Sequence, residues 1–254
     1  MSGAVSGGRT AVLTAPVRTA LPVAGRILRT LRSDRRTLGM VAILPAFIVY
    51  LLSEVFPDPG PVTPPLLAVF VFFLTYQLTA IGFLRERTAG TLDRVLVAPV
   101  SRTGLVLGYV LGYGVLATVQ SLVLLASAVA FLGVSFEHGV VLFVAVELLG
   151  ALTALGVGVT LSLFADSEFQ AMQFIPAVIS PQIILGGTVL PVEQLPVYLE
   201  LPARLMPVTY LVQAMEYVVT DEATVGEFRV AVLSLVAFAV VAVGAAGVVV
   251  RRVG

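Results

Sequence analysis

Few residues in this sequence have the types and spacing for chemistry, and they lie in short polar stretches between long apolar ones. All fifteen basic residues are arginine and none is lysine. The phosphate-gripping lysine of a P-loop is therefore missing, and ATP hydrolysis by that route is excluded. The sequence has no cysteine and one histidine, His138, which excludes disulfides, Cys-based metal sites and a His-pair zinc motif. No metal site and no catalytic residue is predicted. A Ser-His-Asp triad would have to use His138, which reads as part of an outer turn beside Glu137. Glu147 sits inside an apolar run. A carboxyl at that depth is costly, so it raises a functional hypothesis, proton relay or ligand contact in a polar cavity. It could equally be protonated, or hydrogen-bonded to a neighbouring helix.

Residues 85 to 103, RERTAGTLDRVLVAPVSRT, form a charged island between two stretches long enough to span a bilayer. The island holds four arginines, two acids, a turn-permitting glycine and an apolar ridge of Leu92, Val95, Leu96 and Val100. A short amphipathic helix at the membrane surface fits this pattern, and such a helix is suited to gripping a soluble partner.

The elements that position these residues follow from composition. With 58% hydrophobic and 12% charged residues and a mean hydropathy of +1.04, the chain reads as an all-α integral membrane protein. Its 254 residues have room for about six spans of roughly 20 residues each. Residues 1–22 read as a flexible tail without a signal-peptide core, and 23–254 as one transmembrane domain. An interfacial helix is expected over 23–37. There Val23, Ile27, Leu28 and Leu31 share one face, while Arg26, Arg29, Arg32 and Arg36 lie around the other. Spans are expected at about 38–56, 64–84, 104–132, 139–164, 172–190 and 229–250.

Arginine placement orients them. Seven precede the first span, four lie between the second and third, and Arg251 and Arg252 close the chain. Six spans put all thirteen on one side, the cytoplasm, with both termini there. The use of arginine in place of lysine fits a GC-rich prokaryote, so its plasma membrane is the expected location.

Polar groups at lipid depth must find partners, so the spans carrying them are expected to face protein or a pathway. Thr75, Tyr76, Gln77 and Thr79 mark the second span in this way, and Gln173, Ser180 and Gln182 mark the fifth. Pro176, Pro181, Gly186 and Gly187 interrupt the fifth span. The stretch beyond carries Pro191, Pro196, Pro202 and Pro207; it is too broken to cross and too apolar for a free loop. Two short re-entrant helices are expected at about 192–203 and 208–219, within a re-entrant region of 191–219. Gly186, Gly187, Pro191 and Pro207 would then belong to an outer gate. Small residues at four-residue spacing, Gly104, Gly108 and Gly112, and Gly150, Ala154 and Gly158, predict close helix contacts within or between subunits.

Two stretches, ERTAGTLDRVLVAPVSRTGLVLGYVLG and GGTVLPVEQLPVYLELPARLMPVTYLVQAM, resemble the signatures of ABC-2 type transporter permeases. The resemblance implies six spans, a dimer, homomeric or heteromeric, and a separate ABC ATPase subunit that binds ATP and magnesium. This chain itself would bind no cofactor. It further implies a coupling helix at about 86–101 seated in the ATPase, with Glu86, Arg87, Thr91, Leu92, Arg94 and Leu96 as contacts. Spans two and five would line the pathway, through Thr75, Tyr76, Gln77, Gln173 and Gln182. The function implied is ATP-driven export of an amphiphilic or apolar substrate, with lipid as surroundings and no nucleic acid as partner. Glu147 is not part of the family pattern. Two other readings remain: a proton-coupled secondary transporter using Glu147, which would show an inverted repeat, and a membrane-embedded enzyme, which would need clustered Asp, His or Ser.

Overall fold

The computed structural model describes residues 8–56, 58–89, 102–134, 136, 138–220 and 223–253. Long apolar runs bounded by glycine, proline and charge form helices in chain order: α1 (Gly8–Ser33), α2 (Arg35–Val55), α3 (Thr63–Thr88), α4 (Arg102–Leu132), α5 (Val140–Leu161), α6 (Glu168–Leu185), α7 (Val197–Arg204), α8 (Pro207–Val219) and α9 (Val225–Val253). No strand occurs among the described residues. Most of the expected coupling helix, 90–101, lies outside them.

Five stretches are long and apolar enough to cross a membrane: Leu38–Val55, Gly60–Thr88, Gly104–Leu132, Val140–Phe164 and Val225–Val248. The helix at the expected fifth span, α6, falls short of that standard. Its 18 residues include Glu168, Gln170, Gln173 and Gln182 besides Pro176 and Pro181, which dilute its apolar character. At the N-terminus the chain is helical from Gly8, so part of the expected tail over 1–22 lies in α1. Asp34 then separates α1 from α2, which divides the expected 23–37 helix at that residue.

α3 is the centre of the assembly. It packs on α4, α5, α6 and α8, and no described residue from Thr63 to Leu84 is exposed. α5 joins α3 on one side to α9 on the other. Lipid supplies no hydrophobic drive between helices, so small residues decide where backbones approach. A Cβ on Gly158 would lie 2.2 Å from Thr79 Oγ1 and 2.8 Å from the Tyr76 carbonyl oxygen of α3. One on Gly156 would meet the Ala242 backbone of α9 at 2.4 Å, and one on Gly150 the Leu211 side chain of α8 at 2.5 Å. Gly108 and Gly112 receive Val23 and Ile27 of α1. Both small-residue rows therefore make contacts within one chain.

The outward surfaces of α2 and α9 are apolar, with Ile43, Phe47, Leu233 and Val241 exposed. α8 is nearly enclosed, with Leu211, Ala214, Met215 and Val218 buried against the core. α7 instead exposes Val197, Tyr198 and Leu201.

Gly158→Leu should therefore lower the thermal unfolding midpoint in detergent, because overpacking against a backbone costs about 1–3 kcal/mol or more. Gly114→Leu, where a Cβ meets nothing within 4 Å, should leave the midpoint close to that of the wild type.

Candidate functional site

The C-terminal end of α3 carries three consecutive charged residues, and each is held by a different part of the chain. The Arg85 guanidinium donates to both oxygens of Glu168, Nε to Oε1 at 2.8 Å and Nη2 to Oε2 at 2.9 Å, fastening α3 to the first turn of α6. The Glu86 carboxylate accepts from Arg26 Nη2 of α1 at 2.5 Å and from the Tyr109 hydroxyl of α4. Arg87 donates to the carbonyls of Leu163, at 3.0 Å, and Ala165. Those carbonyls belong to the exit from α5, where a 3₁₀ turn, Ser162–Phe164, leaves acceptors without helical donors. Glu86 and Arg87, the two of the expected coupling contacts that lie within the described residues, thus brace this surface internally. Thr91, Leu92, Arg94 and Leu96 lie outside the described residues.

Sequence reasoning missed Arg26, Tyr109 and Glu168 as partners. Arg26 and Glu86 are sixty positions apart, and no local pattern pairs them. The only sequence signal was the excess of charge at both places.

The residues expected to line a pathway are divided. Thr75 and Tyr76 are buried inside the single chain, and the Thr75 hydroxyl has no hydrogen-bond partner. Gln77 faces a cavity bounded by α1, α2, α3 and α4. Gln173 is exposed on α6, on the same side as Pro176, Ala177 and Ser180. Gln182 is buried, and its Oε1 accepts from the Val208 amide at 3.2 Å. It thereby satisfies a free donor of the first turn of α8.

Just past α6, Gly187 adopts φ +82°, a conformation that favours glycine, and turns the chain out of the helix. Gly186, Gly187 and Pro191 line a cavity of ≈ 260 Å³ together with Gln213, Glu193, Glu216 and Glu227. Pro207 lies elsewhere, buried at the start of α8, where its missing N–H costs nothing.

Glu147 is fully buried in α5. It faces Ser121 of α4, and neither side chain makes a hydrogen bond of good geometry. On α4 the adjacent Gln120 is also buried; its Nε2 donates to the Phe70 carbonyl of α3 at 3.3 Å, while its Oε1 has no partner. Gln120 and Ser121 were overlooked in the sequence, although they are a polar pair within the third apolar run. His138 stacks on Tyr217 with centroids 3.9 Å apart, and Tyr217 stacks on Phe228 at 4.5 Å. The histidine is packed into an aromatic column. No group of three or more His, Cys, Asp or Glu suited to a metal ion occurs among the described residues.

Five apolar helices, with α3 at their centre and charge-braced at one end, define a multi-pass helical membrane protein. The description "ABC-2 type transporter" matches residues 23–219. The chain belongs to the ABC-2 type transporter family. It is 26% identical over 163 residues to the probable multidrug ABC transporter permease YbhR of Escherichia coli K12, covering 64% of this chain and 44% of that one. With the permease YbhS of the same strain, also named as a probable multidrug ABC transporter permease, it shares 26% identity over 194 residues, 76% of this chain and 50% of that one. ABC transporter G family member 20 of Dictyostelium discoideum is 28% identical over 152 residues, 60% of this chain and 21% of that one. The chain spans about half the length of the two bacterial relatives.

Glu86→Ala should destabilise the protein by about 1.5–3 kcal/mol, the size of a hydrogen bond to a charged group. Arg26→Ala should cost a similar amount, and the double variant should cost clearly less than the sum. A double-mutant cycle on detergent-solubilised protein reads this coupling, and strictly additive losses would refute it.

Proposed function

We propose that the chain is the membrane-spanning subunit of an ATP-driven exporter of amphiphilic or apolar molecules. The observation that carries this reading is the family match over residues 23–219, since that stretch includes both the charged island and the bent region after α6. Without lysine this sequence has no P-loop of its own, so in this reading a nucleotide-hydrolysing partner supplies the energy. An ABC ATPase subunit, holding ATP and magnesium, would dock on residues 86–101. The names of the bacterial relatives, multidrug ABC transporter permeases, support a drug-like cargo.

In this reading α6 is the fifth of six crossings despite its glutamines. Gln173 and Ser180 turn away from lipid, toward a pathway completed by a second permease copy, identical or homologous. α7 and α8 form the outer re-entrant region, and the exposed Val197, Tyr198 and Leu201 of α7 rest in the outer leaflet. α1 lies along the inner surface, and both termini are cytoplasmic in a prokaryotic plasma membrane. Nucleotide-driven closure of the ATPases would move the island, and through Arg85, Glu86 and Arg87 the inner ends of α1, α4, α5 and α6. Glu147 is a structural residue in this scheme.

The test is affinity purification of the tagged chain from native membranes in mild detergent, followed by mass spectrometry. A soluble ATPase with a Walker A motif should accompany the wild type and be lost from Leu92→Asp/Leu96→Asp. Glu147→Gln should retain transport at close to the wild-type rate. Absence of any ATPase, with transport that follows a proton gradient and stops in Glu147→Gln, would replace this reading with a proton-coupled carrier.

A further inference from the structure

α4 and α5 leave a space between them where both carry small side chains. Gly114 and Ala117 of α4 and Ala151 of α5 line it, and a Cβ on Gly114 would meet nothing within 4 Å. The space is a cavity of ≈ 270 Å³, closed on its third side by Thr75 of α3. Along α4 it runs from Val110 to Thr118, about 12 Å at 1.5 Å per residue. Thr75, Ala117 and Ala151 each lie near the midpoint of a stretch able to cross a membrane, which puts the cavity at the level of the bilayer centre. Leu111 and Val115 line it and are 45% and 48% exposed, so at that depth it opens to lipid.

Every lining residue belongs to α3, α4 or α5, and none is charged. Three carry a hydroxyl. That of Thr118 donates to the Gly114 carbonyl at 2.9 Å. That of Tyr113 lies against Gly82 of α3, where an added Cβ would be 2.0 Å from it. The Thr75 hydroxyl has no partner, although Thr75 is only 4% exposed. A buried hydroxyl without a hydrogen bond is unfavourable. Water does not relieve it here, because a bound water needs two to four polar partners and apolar cavities stay dry. A lipid acyl chain can fill the space but leaves the hydroxyl unpaired. Threonine in a helix divides between two χ1 rotamers, so its hydroxyl can turn to meet an occupant. The volume is nearly twice that of the ~150 Å³ cavity that holds benzene, room for roughly ten non-hydrogen atoms.

We propose that this cavity is a binding site for an uncharged lipophile carrying one hydroxyl or carbonyl oxygen, taken up sideways from the bilayer. The ligand oxygen accepts from the Thr75 hydroxyl. Its hydrocarbon body lies between Gly114, Ala117 and Ala151, and any excess length passes Val115 into lipid. No residue of α6 lines the cavity, so the site is separate from the surface assigned above to a pathway. It holds whether or not the chain is an exporter.

The experiment uses the purified full chain in lipid nanodiscs and an octanol probe with a diazirine on its chain. Labelled peptides are identified by mass spectrometry, with 1-octanol and octane as competitors at matched mole fractions in the bilayer. Labelling should saturate and fall on the segments of α4 and α5 that contain Gly114 and Ala151. Octanol should displace the probe about three- to tenfold better than octane, the effect of one hydrogen bond. Thr75→Val keeps the side-chain shape without the hydroxyl; it should abolish that preference, with a thermal midpoint no lower than that of the wild type. Gly114→Leu fills the cavity and should reduce labelling at least about tenfold with the midpoint unchanged. Leu233→Trp, on the exposed surface of α9, should not alter labelling. Equal displacement by octane and octanol, an undiminished preference in Thr75→Val, or undiminished labelling in Gly114→Leu would overturn the proposal and leave the cavity as a place where acyl chains pack. The readout requires no ATPase, so its failure does not touch the exporter reading, and failure to recover an ATPase does not touch this site.

Discussion

A charge at the edge of a bilayer cannot be left half-dehydrated without a partner, and α3 ends in three of them. The desolvation penalty for a buried ion exceeds most packing terms, so each charge must be matched or reach water. Arg85, Glu86 and Arg87 are matched by four separate segments: α6 through Glu168, α1 through Arg26, α4 through Tyr109 and the exit of α5 through two carbonyls. Three consecutive side chains point in different directions around a helix, about 100° apart. One turn of α3 thus ties four neighbouring segments together.

Toward the membrane centre the organising force changes. Apolar side chains gain little by leaving lipid for one another, so contact comes from close approach and from polar groups seeking partners. Gly156 and Gly158 let α5 lie against α9 and α3 together, a double contact that any side chain at either position would break. Among the described residues, the buried side-chain oxygens without a hydrogen-bond partner are those of Thr75, Ser121 and Glu147 and Gln120 Oε1, and of these Thr75 lies nearest the seam. Gly158 packs directly on Thr79 and on the backbone of Tyr76, one turn or less along α3 from Thr75. Backbone packing close enough to exclude partners for neighbouring hydroxyls is consistent with both observations.

Much of this was legible in the sequence because membrane helices obey a length rule. Five of the expected spans coincide with apolar helices, since hydrocarbon thickness and helix rise leave little freedom in where a span can lie. The small-residue spacings were equally visible, but not their recipients: a glycine row records that something approaches and not what does. That Gly108 receives Val23 depends on how α1 folds back on α4, which no local pattern encodes. The polar patches were read as one kind of feature and prove to be two. Gln182 is consumed by the Val208 amide, and Gln173, nine residues earlier on the same helix, is exposed. The composition of α6 cannot distinguish them, because a glutamine that caps a neighbouring helix and one that faces a pathway have the same hydropathy.

This division constrains any route through the protein. Thr75, Tyr76 and Thr79 lie inside a single chain, sheathed by α5 and α8, whereas Gln173 and Ser180 already face outward from α6. A passage using the α6 surface needs only a second surface opposite it. A passage using the α3 patch needs α3 to part from helices against which glycines hold it at backbone contact, which is a discrete repacking and not a gradual one. The two ends of α3 differ in how they could support such a step. Its outer half is enclosed by apolar packing from α8, which resists separation along its whole length. Its C-terminal end is held by a few directional ionic bonds, which can be exchanged singly. Motion that begins at the inner end and breaks those bonds in turn meets the smaller resistance.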